Sequence, residues 1–347
     1  MKKFFVSLVM LLSLSAASVF AQSSLIATLS HEGEVSLYYG ASALQQAHEA
    51  AAHGDVITLS SGSFTAVHIT KAITLRGAGM EMDTITNTLP TIIAGDFSIA
   101  IRDTVTAKLT MEGIYHNHHI ILENTHLHNC PLQNATFTKC RFKSFGNSYT
   151  PTLNNVKFVH CKIADYMDLS EVGYTKSTLS FINSFIANPG TKGSSTSSLE
   201  FINCIIYHSH YNLNWIGASA LYNCIVFVNS NRANETYSYL TTANNCIALN
   251  SNINPWINVT NSTNQIKDCN DVFITFTGSY TDAETFELTD EAKAKYLGLD
   301  GTEVGIYGGN FPFDPKTSAP QITKFNVAAK STVDGKLSVD IEVKGVE

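Results

Sequence analysis

Three acidic residues near two basic ones form the best candidate for catalysis in this sequence. Asp165, Asp168 and Glu171 stand one repeat beyond Arg141 and Lys143. Carboxylate oxygens on one loop suit Ca²⁺, and a basic side chain nearby is able to take a proton from a substrate. Because these carboxylates fall in a predicted loop, where charges are simply solvated, the solvated loop is the favoured interpretation and a calcium-binding catalytic site is its alternative.

Histidines recur at spacings that suit a transition metal. His116 and His118 form a His-x-His pair, which on a strand places both rings on one face, and His126 and His128 repeat that spacing. Imidazole is a common ligand of Zn²⁺ and Cu²⁺. No matched carboxylate or third ligand accompanies either pair, and residues 116–119 are predicted to lie in a polar turn. The sequence therefore assigns no metal and no cofactor, and Ca²⁺ enters only if the chain is a lyase.

Four aromatic residues are candidates for contact with a ligand: Tyr207, Tyr211, Trp215 and Trp256. Each follows a predicted strand, in a segment rich in Asn and Ser. Exposed rings there would stack on sugars while amides and hydroxyls bind sugar hydroxyls. The competing interpretation is that the rings cover the edge of the core, since large aromatic side chains are usually mostly buried.

One six-residue pattern recurs and predicts the fold: apolar, any residue, polar, Cys or Ser, any residue, apolar. Its Cys/Ser positions, termed the ladder, are Cys140, Cys161, Ser184, Cys204, Cys224 and Cys246. The steps between them are 21, 23, 20, 20 and 22 residues. Such a period is too short for a helix-pair solenoid, and the spacing of leucine-rich repeats is absent. We therefore predict an all-β, right-handed, single-stranded parallel β-helix in which each repeat is one coil.

The ladder cysteines are predicted to be buried free thiols. Neighbouring coils lie about 4.8 Å apart, but their parallel side chains do not offer the geometry of a disulfide. The Asn that precedes many of them tolerates a left-handed turn, and stacked Asn side chains are expected to bond from coil to coil. Cys130 and Cys269 lie off the ladder, and the sequence leaves their redox state open.

Both ends of the solenoid carry predicted covering elements. Ser42-Ala-Leu-Gln45 reads as a capping box that opens a short amphipathic helix over the first coil, with Gly54 as its stop. Near the other end, a helix around Asp290–Tyr296 is predicted to precede a glycine-rich strand on the last coil. Asp334-Gly335 between two alternating segments predicts a β-hairpin.

Two stretches resemble known β-helix proteins. The runs from Ala43 to Leu59, Ser61 to Phe64 and Ile73 to Gly79 resemble the amino-terminal cap and first coils of pectin-lyase-like proteins. Leu299 to Gly309, followed by Phe311-Pro-Phe313, is similar to a closing segment of secreted β-helix proteins from Bacteroidetes. The resemblance implies the fold and not an activity, because the carboxylate sets of pectate lyases and the motifs of polygalacturonases are absent.

The first residues indicate export. Lys2 and Lys3 precede the apolar run Phe4–Leu14, and Val19-Phe20-Ala21 offers small residues for cleavage. The sequence thus predicts a bacterial signal peptide, a secreted, periplasmic or cell-surface location, and no membrane-spanning segment. Without the two leader lysines the formal charge changes from −7 to −9, which argues against nucleic acid as a partner.

The predicted organisation is a signal peptide at 1–21, a parallel β-helix with its amino-terminal cap at 22–270, a closing segment at 271–318 and a β-hairpin tail at 319–347. The favoured function is polysaccharide binding or scaffolding. Because no catalytic residues are identifiable, the sequence favours a non-enzymatic protein. A polysaccharide lyase or glycoside hydrolase of the same fold is one alternative, and a structural or adhesin-like surface module is another. Ligand identity and oligomeric state stay open.

Overall fold

The predicted parallel β-solenoid is confirmed, with about six regular turns and few helices. The computed structural model describes residues 25–102, 107–122, 132–146, 153–168, 178–190, 198–208, 219–228, 240–249, 259–260, 262–266, 268–317, 321–327, 334–336 and 338–344.

Twelve strands within these ranges stack into the first sheet. In spatial order they are Glu34–Tyr39, Ile26–His31, Val56–Leu59, Thr74–Arg76, Thr110–Glu112, Thr136–Thr138, Val156–Val159, Thr178–Ile182, Ser198–Ile202, Ser219–Tyr222, Leu240–Asn244 and Val259–Thr260. The first three pair antiparallel, and the later strands pair in parallel.

The second sheet has thirteen strands in the described ranges. Ten stack in the order Gly62–Thr65, Thr91–Ala94, Ile114–Leu122, Arg141–Gly146, Lys162–Asp168, Phe185–Ala187, Ile205–His208, Ile225–Val228, Ile247–Leu249 and Thr263–Ile266, while His68–Ile69, Phe97–Ile99 and Pro189–Gly190 pair beside them. Leu132–Gln133 pairs with Leu153–Asn154 in a short sheet of its own.

Two α-helices, Ala43–Ala50 and Asp290–Lys295, and a 3₁₀ turn at Cys269–Asp271 complete the described elements, with one further strand pair. That pair, Gln321–Val327 and Val339–Lys344, is antiparallel. None of the helices in the described ranges combines the length and the apolar character needed to cross a bilayer.

Stacked side chains fill the space between the two sheets. Because side chains alternate along a strand, one residue of each first-sheet strand points inward at the same height of its coil. The rings of Phe137 and Phe158 stack at 4.9 Å, those of Phe158 and Phe181 at 5.0 Å, and those of Phe181 and Phe201 at 4.7 Å. These distances match the spacing of neighbouring strands, so the core repeats with the backbone.

A left-handed residue turns the chain from the first sheet into the second on each regular coil. The residues at this position, termed the turn column, are Lys139, His160, Asn183, Asn203, Asn223 and Asn245, with φ between 44° and 56°. Each stands directly before a ladder residue. Asn is the non-glycine residue that adopts this conformation most readily, which explains why it fills four of the six positions.

The ladder residues lie in one buried column just past these turns. Each small side chain bonds to backbone at its own turn or the neighbouring one: the hydroxyl of Ser184 accepts from the amide of Cys161 at 3.0 Å, and the thiol of Cys204 donates to the carbonyl of Ile202 at 3.2 Å. Ser262, which the repeat did not reveal because its step is shorter, accepts from the amide of Cys246 at 2.9 Å. The described cysteines, including Cys269, are free thiols.

The amino-terminal helix forms, but not through the predicted capping box. Its side-chain cap is absent: the hydroxyl of Ser42 instead accepts from the Gln46 side chain at 3.1 Å. The helix ends at Ala50, so Gly54 lies in the turn beyond it. Its buried face, which includes Leu44 and Ala47, packs on the first strands of both sheets.

Residues 297–317, termed the return segment, run back along the side of the solenoid over the turn column. The Asn245 amide donates to the carbonyl of Leu297 at 2.8 Å, and the Asn183 amide donates to those of Ile306 and Gly308 at 2.8 and 2.7 Å. The predicted glycine-rich strand on the last coil is therefore wrong. The glycines of the return segment permit close approach of its backbone to the solenoid. Some of them adopt left-handed conformations, so the segment is irregular and does not form a strand.

The expected coil-to-coil bonding of the turn-column Asn side chains is wrong for the same reason. Their side-chain amides face outward and donate to backbone carbonyls of the return segment, which lies in no strand of the described residues. Further along, His160 Nε2 lies 3.0 Å from the carbonyl of Phe311, and Lys139 Nζ lies 3.3 Å from Asp314. A coil-to-coil amide bond does occur at a different turn, where Asn155 donates to Asn134 at 2.7 Å.

The segment from Cys269 onward covers the outer face of the second sheet on the later coils. There Phe185, Ile205, Ile225 and Ile247 point away from the core and are buried against the covering residues. Those covering residues include Phe273, Phe276, Phe286 and Leu288. The second sheet is thus buried on both faces at these coils, whereas outward-pointing residues of the first sheet such as Lys157 and Ser180 are fully or partly exposed.

The burial of the thiols makes a chemical prediction. Burial raises the pKa of Cys161 to about 12 and that of Cys269 to about 11, so neither forms the reactive thiolate near neutral pH. In a Cys130→Ser variant we expect almost no reaction with a disulfide reagent in the native state, and six thiols per chain after unfolding. Rapid native reaction of several thiols would contradict the buried column.

The contacts of Asn183 predict a separable effect on stability. Asn183→Gly keeps the left-handed turn but removes the donor to the buried carbonyl of Gly308, while the carbonyl of Ile306 keeps the Phe313 amide as a donor, so the free energy of unfolding should fall by about 1–3 kcal/mol. Asn183→Ala should lose roughly 1–2 kcal/mol more, because a side chain with Cβ resists this conformation. Urea denaturation measures both, and Asn87→Gly, at an exposed left-handed position, is the control. Equal stability of Asn183→Gly and wild type would contradict the anchoring of the return segment.

Candidate functional site

The outer face of the first sheet carries a column of mostly polar side chains in register. Thr136, Lys157, Ser180, Glu200 and Ala220 lie opposite one another on consecutive coils. The column continues toward the amino-terminal end through threonines at positions 110 and 74. We term these seven positions the outer column.

A groove of about 460 Å³ lies along this column. Its lining residues are Asn155, Val156, Lys157, Thr178, Leu179, Ser180, Ile182, Ser198, Leu199, Glu200 and Ala220. The groove thus crosses four successive strands and presents hydroxyl, amide, ammonium and carboxylate groups. A second outward column, which includes Val159, Ile182, Ile202 and Tyr222, supplies apolar surface beside it.

One wall of the groove is held by its own hydrogen bonds. The hydroxyl of Thr178 accepts from the backbone of Asn155 at 2.6 Å and donates to the Asn154 side chain at 3.1 Å. These bonds tie one coil to the next at the start of the first-sheet strands. The wall is therefore fixed before any ligand arrives, which lowers the entropic cost of binding.

The structure describes two of the three acidic residues that were candidates for a lyase site. Asp165 and Asp168 belong to the strand Lys162–Asp168, so the predicted loop at these two positions is wrong, and Asp165 is exposed. In the sheet register Asp168 lies opposite Gly146 and Gly190, so it has no aligned carboxylate on either neighbouring coil. Glu171 lies outside the described residues.

The two candidate basic residues lie in different surroundings, and the sheet register places Lys143 opposite residues 164 and 165 of the next coil. Lys143 is exposed, and the guanidinium of Arg141 lies 2.5 Å from the carboxylate of Asp282 and 4.7 Å from the centre of the Tyr115 ring. Burial disfavours the charged form of Arg141, but Asp282, Tyr280 and Tyr115 together outweigh it, so its pKa is raised. Arg141 is a permanent cation that holds residue 282 to the second sheet, and such a group is a poor proton acceptor.

A second ion pair beside it went unrecognised in the sequence. Lys162 lies opposite Arg141 in the sheet register, and its Nζ atom lies 2.6 Å from the carboxylate of Glu81. A signal was present: the residue after the ladder position is basic in these two coils and apolar in the following ones. The change from basic to apolar residues marks the coil at which apolar contacts replace charged contacts on the outer face of the second sheet.

The candidate metal ligands occupy different environments. His116 is buried and His118 is exposed, because the strand Ile114–Leu122 has an irregular register between His116 and His119. The predicted turn is therefore wrong, and the two ring centres lie 6.1 Å apart although only the His118 ring is exposed. His116 Nδ1 lies 2.8 Å from the carbonyl of Ile93, and burial lowers its pKa. His126 and His128 lie outside the described residues.

Across the ranges that the structure describes, no three His, Cys, Asp or Glu side chains converge as a metal site would need.

Of the aromatic candidates, Tyr207 is described, and it is buried, at 8% exposure, beneath the covering segment. Its ring stacks on Phe227 at 5.2 Å and meets Phe276 edge-on at 6.0 Å. Tyr207 is thus part of the core rather than a sugar-stacking surface, while Tyr211, Trp215 and Trp256 lie outside the described residues.

No family model matches this chain, and no curated protein is significantly similar to it.

The position of Tyr207 predicts a stability defect. Tyr207→Ala should lower the free energy of unfolding by about 3–5 kcal/mol, as expected for a buried aromatic ring. Tyr207→Phe should cost less than about 1 kcal/mol, because the hydroxyl makes only a long 3.4 Å bond to the carbonyl of Gly278. Denaturant titration distinguishes the two variants. An alanine variant as stable as wild type would show that the ring is not in the core.

Proposed function

We propose that the protein is an exported, right-handed β-helix of the pectin-lyase-like type whose outer column binds an extended polysaccharide. The observation that carries the proposal is the in-register groove along Lys157, Ser180 and Glu200. Solenoids present extended surfaces along their length, and this one is open where the second sheet is covered.

The binding mode follows from the repeat. Coils about 4.8 Å apart offer a hydrogen-bonding group at the same lateral position again and again, so a linear polymer along the axis meets equivalent contacts on successive coils. Hydroxyl, amide and charged groups alternate with sugar-facing apolar surface such as Ile182. Each contact is weak, and affinity is expected to grow with the number of coils engaged.

Several features support an exported scaffold. In this proposal the leader at residues 1–21 directs secretion, the helix at 43–50 closes the first coil, and the two carboxy-terminal strands at 321–327 and 339–344 form the hairpin tail. Buried thiols suit an oxidising compartment, because inaccessible sulfur resists oxidation. A non-catalytic role is favoured since Arg141 is committed to Asp282 and Asp168 aligns with glycines.

The proposal predicts that outer-column variants lose binding without losing stability. A glycan array identifies the polysaccharide, and affinity electrophoresis then measures its binding. Glu200→Ala and Lys157→Ala should each weaken binding by about 10-fold or more, since a hydrogen bond to a charged group contributes about 1.5–3 kcal/mol. Lys336→Ala, on the exposed tail, is the control and should bind as wild type does.

Two outcomes would contradict the proposal. One is binding that is unchanged in both outer-column variants. The other is cleavage of a uronate-containing polymer, seen as ultraviolet absorbance of unsaturated products with or without Ca²⁺, that disappears in Asp168→Ala.

A further inference from the structure

We propose that two copies of this chain associate end to end through the strand Glu34–Tyr39, which pairs antiparallel with the same strand of the second copy about a twofold axis at Leu37. This interaction surface is separate from the outer column and does not depend on polysaccharide binding. It lies at the free edge of the first sheet.

The strand Glu34–Tyr39 has one neighbour in the described structure. It pairs with Ile26–His31, which in turn pairs with Val56–Leu59 on its other side. All of its residues except Tyr38 are exposed. An exposed edge strand presents unpaired backbone groups to any other strand, and proteins usually protect such edges with Lys or Pro. This strand contains neither.

The backbone register shows which residues face the free edge. The amide of Gly40 donates to the carbonyl of Leu25 at 2.9 Å, which extends the pairing of Ile26 with Tyr39 by one residue. In an antiparallel ladder, hydrogen-bonded pairs alternate with pairs that are not bonded. Glu34, Ser36 and Tyr38 therefore bond inward, and the N–H and C=O groups of the alternate residues point outward.

Those alternate residues are Val35, Leu37 and Tyr39, and they also carry exposed apolar side chains. Their exposed fractions are 66%, 52% and 57%. The residues with unpaired backbone groups are thus the ones with uncovered apolar surface. A partner strand would satisfy both at once.

The strand is complementary to itself. Antiparallel pairing about Leu37 places Val35 opposite Tyr39 of the second copy and Leu37 opposite Leu37 of the second copy. Each of these three residues then donates and accepts one hydrogen bond across the axis. Glu34 falls opposite Gly40, so no like charges meet. A shift by one residue would turn the apolar row of one strand to the opposite face, which selects this register.

We propose a second copy as the partner, and not another protein, because this edge is complementary to itself. A twofold contact uses the same patch on both partners, and this edge meets that requirement in both its hydrogen bonds and its side chains. A single strand pair lies at the low end of interface sizes, so we expect a dissociation constant on the order of micromolar.

Sedimentation analysis over a concentration series tests the proposal. Wild type should change from monomer to dimer, and Leu37→Lys should weaken dimerisation by about 10-fold or more, because two lysines would face each other on the axis. Ile85→Lys, which places the same charge at a 79% exposed position in a loop, is the matched control and should dimerise as wild type does.

Cross-linking tests the register independently. In a Cys130→Ser background, Leu37→Cys should form a disulfide between copies under diamide, since Cα atoms of such a pair lie about 5.5 Å apart. Ser36→Cys should not, because its copies lie diagonally across the axis. The proposal is overturned by a monomer at all concentrations, by a dimer that Leu37→Lys leaves intact, by open-ended filaments, or by equal cross-linking at both positions.

Discussion

The structure depends on one tight turn that recurs in every regular coil. A residue in the left-handed conformation takes the chain from the first sheet into the second, and a small buried Cys or Ser follows it. The left-handed residue favours Asn, and the confined space after it excludes larger side chains. Because the turn repeats at the same height of each coil, strands, phenyl rings and ladder residues all align in columns.

The turn also determines which surfaces are open. Its outward amides bind backbone carbonyls of the return segment at Leu297, Ile306 and Gly308. The same carboxy-terminal region covers the apolar outer face of the second sheet with Phe273 and Phe276. The outer face of the first sheet is left as the long polar surface, so the device that builds the solenoid also selects the surface proposed for binding.

The sequence predicted the stacked coils because their cause is local. A small residue after Asn at steps near 21 residues is visible without any knowledge of distant contacts. The return segment was mispredicted because its glycines read as a strand, whereas its partners lie more than a hundred residues away at Asn183. Asn side chains look alike in sequence whether they bond along the column or outward from it.

Candidate site residues were harder to place, for physical reasons of the same kind. His116 is buried and His118 is exposed on a strand whose register shifts between His116 and His119, and a bulge has no clear sequence signature. For Tyr207 the sequence left an exposed ring and a ring covering the core as alternatives, because the covering segment that buries it comes some seventy residues later in the chain. The outer column needed only strand register, yet its side chains are ordinary Ser, Thr, Lys and Glu that no motif distinguishes.

Side-chain footprinting with hydroxyl radicals, carried out with and without the bound polysaccharide, tests the central claim most directly. Protection of Val159, Ile182 and Tyr222, which flank the outer column, with unchanged labelling of Tyr115 on the second sheet, is the predicted result. Protection at Tyr115 and none along the first sheet would contradict the account.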